Sequence, residues 1–187
     1  MFREKMVTPA IPERVYVLCK IVEKGPISSS ELKEKMEPAE LNADTSTAYF
    51  PDYRTAAEEL GLIITSDNMI SLAVDPSVIE SRQTMRKYVN GVLRKFSDGQ
   101  FYQVTHAYYM LGADALKTEK NLSNLGPVMS ELTGQKVDAM AMRAWRFWVS
   151  YLGLGYLQEM FMIPNADVFL QDVIELAGLE KGKKYSF

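Results

Sequence analysis

The sequence predicts a mainly helical fold with short β-hairpins, arranged as two similar units of about 90 residues joined by a long helix. Three observations carry this expectation. Apolar residues recur at helical spacing along most of the 187-residue chain. In two places that period gives way to a short apolar run folded around a tight polar turn. The string Leu60-Gly61-Leu62, hairpin, Asp75-Pro76 and helix also returns as Leu152-Gly153-Leu154, shorter hairpin, Pro164-Asn165 and helix. A repeat of that length signals a duplicated domain rather than a solenoid.

The elements follow in chain order. Val15, Leu18, Cys19 and Val22 form one apolar stripe, with Pro12 at the tolerated first turn and Gly25-Pro26 as the stop. Ser28-Ser29-Ser30-Glu31 reads as a capping box that opens a short helix, which Pro38 ends. Pro51 opens a third helix to Gly61 with Tyr53, Ala56, Ala57 and Leu60 inward. Leu62–Thr65 and Met69–Leu72 then form two strands around Ser66-Asp67-Asn68. Asp75-Pro76 is an N-cap followed by an N1 proline, predicting one long helix to Phe96 with Met85, Val89, Val92 and Phe96 on its apolar face. Beyond Ser97-Asp98-Gly99, three helices are expected. Their stripes are Phe101, Val104, Tyr108 and Leu111; then Leu125, Val128, Met129 and Leu132, stopped by Gly134; then Val137, Met140, Ala141, Ala144, Trp148 and Tyr151. A hairpin around Gln158-Glu159 and a last amphipathic helix follow. The expected division is residues 1–75, a connector helix over 76–99, and residues 100–187.

Composition bounds the function. Apolar residues make up 47% and charged residues 24%, as in an ordinary globular protein. The first ten residues are not followed by the apolar run of a signal peptide, and no stretch is long enough for a membrane span. The single cysteine, Cys19, excludes an internal disulfide and fits a reducing cytoplasm. One His and one Cys leave no Cys/His zinc site. The net charge of −3 argues against indiscriminate coating of nucleic acid. Residues 1–75 hold 8 Lys and Arg against 13 Asp and Glu, whereas residues 76–187 hold 13 against 11.

Three short helices followed by a hairpin, with Ser28-Ser29-Ser30-Glu31-Leu32 and the ending Ala56-Ala57-Glu58-Glu59-Leu60-Gly61-Leu62-Ile63, resemble the winged helix-turn-helix superfamily. The resemblance covers residues 11–75, and residues 100–178 more weakly. It implies two winged-helix units in tandem, with the third helix of a unit entering the DNA major groove and the hairpin touching the neighbouring backbone. Small acidic tandem proteins of this kind also resemble kleisin-binding subunits of bacterial chromosome-condensing complexes, transcription regulators and phage-defence components. The resemblance is one of fold, and function has to be argued from the surfaces.

On the third helix the outward set is Arg54, Thr55, Glu58 and Glu59, so Ser46, Thr47, Tyr49 and Arg54 are the candidate DNA contacts of the first unit, set against two carboxylates that repel phosphate. On the corresponding helix of the second unit, Arg143 and Arg146 are three apart and suited to phosphates or base edges. Met142, Trp145 and Val149 are expected to share that outward side and to make a contact between units or a dimer interface. The connector offers Arg82, Arg86, Lys87, Arg94 and Lys95, opposed only by Glu80 in that span, as a patch for a DNA backbone or an acidic partner, or simply a solvated face.

Catalysis finds less support. His106 stands among Tyr102, Tyr108 and Tyr109 without a nucleophile partner, Cys19 lies on an apolar stripe, and no phosphate-binding glycine motif is present. Lys181-Gly182-Lys183-Lys184 is a short basic tail. The expectation is a non-enzymatic, cofactor-free protein that binds double-stranded DNA, as a regulator or nucleoprotein subunit. The alternative is a protein-interaction adaptor or homodimeric scaffold that does not touch DNA itself.

Overall fold

The computed structural model describes residues 1–41, 48–118, 122–158, 161–180 and 182–185. It is mainly helical, with two small antiparallel sheets. Helix α1 (Pro12–Val22) buries Val15, Leu18, Cys19 and Val22, the stripe its spacing requires. Burial pushes the Cys19 thiol up to about 12. Strand β1 (Ile27–Ser28) leads into α2 (Ser29–Met36), whose N-cap Ser28 accepts the Glu31 amide at 3.2 Å. The Glu31 carboxylate turns to Lys35 instead of completing the capping box.

Helix α3 (Phe50–Glu59) buries Phe50, Tyr53, Ala56 and Ala57. Strands β2 (Ile63–Ser66) and β3 (Met69–Leu72) pair around Asp67 and Asn68, both at positive φ (49° and 63°). Two left-handed residues give the primed turn whose twist suits a two-residue hairpin, and Asp and Asn tolerate that conformation. Strand β1 adds to the far edge of β3, giving the order β1-β3-β2.

The connector departs from expectation. Asp75 caps a single 3₁₀ turn, Pro76–Ile79, accepting the Ser77 amide at 2.9 Å; the Ser77 hydroxyl first, and this amide second, lower the Asp75 pKa. The chain then leaves helical geometry at Ser81, which starts α4 (Arg82–Val92) with a complete capping box. Thr84 N donates to Ser81 Oγ and Ser81 N to Thr84 Oγ1, both at 3.0 Å. A 3₁₀ turn, Leu93–Phe96, finishes the segment. One uninterrupted helix is therefore replaced by three shorter pieces, because Ser81 and Thr84 satisfy the helix-start amides locally.

The second half comprises α5 (Gln100–Leu111), a short α6 (Asp114–Thr118) that periodicity did not reveal, α7 (Leu122–Thr133) and α8 (Ala139–Leu152), capped by Asp138. Strands β4 (Gly155–Gln158) and β5 (Phe161–Pro164) pair antiparallel, and α9 (Asp167–Leu176) follows. Helices α3 and α8 end alike. Gly61 (φ 68°) and Gly153 (φ 72°) are left-handed, and the next residue's amide returns to a carbonyl five back: Leu62 to Ala57 and Leu154 to Val149, each at 3.0 Å.

One buried apolar cluster draws on both halves. The N-terminal segment, which carries no helix or strand, contributes Met1, Phe2, Met6 and Ala10 to it. The Phe2 ring meets Phe96, Phe101 and Trp148 at centroid distances of 5.6, 5.2 and 4.8 Å. Trp148 Nε1 donates to the Ala10 carbonyl at 2.5 Å, and Met6 N to Gln100 Oε1 at 3.1 Å. Among the described residues no helix is long and apolar enough to cross a membrane.

Candidate interaction surface

The basic patch of the connector is largely neutralised from within the molecule. Arg86 donates Nε to Asp172 Oδ2 at 2.7 Å and a second nitrogen to Oδ1 at 3.0 Å, a two-pronged bond that raises the Arg86 pKa further. Asp172 is 1% exposed, and Asn90 Nδ2 bridges it (2.9 Å) to the Leu152 carbonyl (3.1 Å) at the end of α8. One turn further along α9, Glu175 pairs with Lys87, which holds that carboxyl below the usual glutamate range with Gln171 assisting. Arg82 pairs with Glu13 of α1 and lies over the Tyr151 ring. Helix α9 presents Asp172 and Glu175, three residues apart, to Arg86 and Lys87, so these three cations hold α9 and α1 in place. Arg94 and Lys95 remain exposed, with no ion pair among the described residues.

The first-half candidates are similarly engaged. Arg54 is half-buried rather than outward: it donates to Glu58 (3.1 Å), Ser29 Oγ (3.1 Å) and Thr65 Oγ1 (3.3 Å), tying α3 to α2 and β2. Glu59 accepts the Phe2 amide at 2.7 Å, so neither carboxylate expected on a recognition face stands free. Tyr49 is 41% exposed, with the Arg14 guanidinium 5.4 Å from its ring centre. Thr47 and Ser46 lie outside the described residues.

On α8 the expected outward apolar set is corrected. Met142, Trp145 and Val149 are each 0% exposed, and Trp145 Nε1 donates to Thr105 Oγ1 at 3.0 Å with its ring edge-on to Tyr108. They cannot form an external interface, because α8 is wrapped by α7, α4, α1 and β4 and buries the stripe Ala141, Trp145, Trp148 and Leu152 with Met142 and Val149 beside it. The exposed edge is Met140, Arg143, Phe147 and Ser150, with Met140 (50%) outside where it was expected inside, and Phe147 at 39%. Arg146 is half-buried at this edge, its guanidinium 5.0 Å from the Phe147 ring centre, and its Nε has no hydrogen-bond partner. Arg143 and Arg146 have no carboxylate partner among the described residues, and α8 contains no acidic residue. Phe147 was missed as a surface residue. The polar positions Arg143, Arg146 and Ser150 already marked its side of the helix.

A second exposed apolar face lies on α9. The one fully buried residue of that helix is the carboxylate Asp172, whereas Leu170, Ile174 and Leu176 stand 52%, 49% and 52% exposed. His106 is exposed at the rim of an apolar cleft of about 180 Å³ lined by Phe101, Tyr102, Tyr109 and Phe169. A cleft of about 440 Å³ elsewhere carries both signs of charge, including Arg3, Lys5 and Lys136 against Asp98 and Asp138. Among the described residues no three His, Cys, Asp or Glu side chains cluster as metal ligands would. No protein-family model, curated protein or solved structure matches this chain.

Proposed function

We propose that this protein is a non-enzymatic docking subunit: a tandem winged-helix scaffold whose working surface meets protein rather than DNA. The order helix, strand, helix, helix, hairpin in the first half and the shared ending of α3 and α8 support the tandem reading. The observation that carries the functional choice is the internal pairing of Arg54, Arg82, Arg86 and Lys87. Duplex binding draws its affinity from cations free to displace counterions along the phosphate backbone. Cations already bound to carboxylates contribute little of that. What remains exposed on α8 mixes Met, Phe and Arg, the residue types that concentrate in protein interfaces.

The DNA reading keeps one specific support: Arg94, Lys95, Arg143 and Arg146 are without carboxylate partners among the described residues. Fluorescence anisotropy with a labelled random duplex separates the two. The docking reading expects no binding at physiological salt and only weak binding at low salt. Binding with a steep negative salt slope that Arg143→Glu weakens would establish DNA contact and overturn the docking reading.

A further inference from the structure

We infer that the outer face of α9 in one copy lies against the exposed edge of α8 in a second copy, with the contact made twice about a two-fold axis. This rests on the docking reading and names its partner as the chain itself.

Helix α9 is apolar on two sides: Phe169 packs against the core, while Leu170 and Ile174 face outward. A surface helix ordinarily turns its apolar stripe inward and its charges outward. Here the buried position holds Asp172, locked to Arg86 and Asn90, while Leu170 and Ile174, four apart on one side, are about half exposed. Swinging α9 round to bury them would take Asp172 from Arg86 and leave a part-buried guanidinium unpaired, a costly exchange. The apolar face is therefore held outward by the Arg86–Asp172 bond, and contiguous apolar surface of this kind marks an interface.

Charge chooses the occupant. With Asp172 buried on Arg86 and Glu175 paired with Lys87, the outward charge of α9 is Asp167, which has no ion pair among the described residues, and the helix carries no Lys or Arg of its own, its last turn included. Helix α8 carries Arg143 and Arg146 and no Asp or Glu, and Arg146 Nε lacks an acceptor. Each face also carries its own apolar anchors, Met140 and Phe147 on α8 and Leu170 and Ile174 on α9. The two surfaces are opposite in sign and alike in apolar content, and one chain supplies both in equal number. A two-fold axis then closes both contacts at once, which is how a symmetric dimer uses two different patches.

Sedimentation velocity over a concentration series, at low and physiological salt, tests this. Wild-type protein is expected to sediment as a dimer. Arg143→Glu/Arg146→Glu and, separately, Leu170→Ser/Ile174→Ser should each raise the dissociation constant by roughly 30-fold or more, the scale of a disrupted interface centre. Phe147→Gln, at an exposed position, should do the same if the double arginine variant melts below wild type. Adding Asp167→Lys and Gln171→Lys to the Arg143→Glu/Arg146→Glu chain should restore the dimer by exchanging the signs of the two faces. A monomeric wild type, a dimer indifferent to the α8 changes, or no restoration by the charge exchange would overturn the inference. A monomer that also ignores duplex DNA sinks only the self-pairing and leaves docking to another protein. Salt-dependent duplex binding sinks the docking reading whatever the oligomeric state.

Discussion

Asp172 is a buried acidic side chain placed where a leucine would ordinarily sit, and its hydrogen-bond partners show what makes that tolerable. Both carboxylate oxygens are met by Arg86, and Asn90 adds a third donor to one of them. Removing one partner of such a pair costs far more than the pair contributes, because the other charge is left desolvated. Asp172→Ala is therefore expected to destabilise the protein by about 3 kcal/mol, the low end for a broken buried pair, since Arg86 keeps a fifth of its surface in water. Urea denaturation measures this. Asp172→Leu combined with Arg86→Met should recover most of the loss. A double variant as unstable as the single one would show that the site depends on charge rather than on leaving none unpaired.

Helix α9 depends on two neighbours, the end of α8 and the basic face of α4. At Gly153 a Cβ would sit 2.5 Å from Val168 Cβ, in a left-handed residue where any side chain is already strained. Gly153→Ala is expected to cost about 2–3 kcal/mol. Gly61→Ala, with the same backbone and only Tyr88 at 3.4 Å, should cost nearer 1 kcal/mol. Equal shifts in denaturation midpoint would mean that contact with α9 adds nothing. On the other side, Lys87 holds the Glu175 carboxyl below the usual glutamate range. The native state then binds that proton less tightly than the unfolded chain. The stabilisation is complete above the ordinary glutamate pKa of about 4.3 and is lost as pH falls through the lower native value. Hydrogen-exchange protection of α9 should drop over that acidic window, and Glu175→Gln should flatten the dependence. An unchanged pH profile in that variant would remove the pair from the account.

At the scale of the molecule, the apolar core is continuous across the middle of the chain. Phe2 packs on residues from the connector, α5 and α8, and Trp148 reaches back to Ala10. Residues 1–75 alone would lose Phe96, Phe101 and Trp148 from around Phe2, exposing a large aromatic cluster to water. That fragment is expected to show no cooperative thermal transition, and the full chain a single one. A sharp melt of the isolated fragment would establish the first half as an autonomous domain.

The helices and hairpins were legible because their signals are local. Val15, Leu18, Cys19 and Val22 repeat every turn, Asp75-Pro76 begins a helical turn, and Leu60-Gly61-Leu62 and Leu152-Gly153-Leu154 stop α3 and α8 by a left-handed residue. The Ser81–Thr84 box was equally local, but the apolar stripe running past it suggested a longer helix. What α8 buries was legible only in part: Ala141, Ala144 and Trp148 are buried as their spacing required, whereas Met140 is exposed and Met142, Trp145 and Val149 are buried against expectation. Two stripes overlap in Ala139–Leu152, and only contacts on several sides select the one containing Trp145 over the one containing Met140. The fate of the cations was not legible. Local spacing is enough to place the basic residues along their helices. Which of them remain free follows from the packing of distant segments, because Arg82, Arg86 and Lys87 find partners 69, 86 and 88 residues away. Electrostatic pairing depends on distance through space, and packing alone sets that distance.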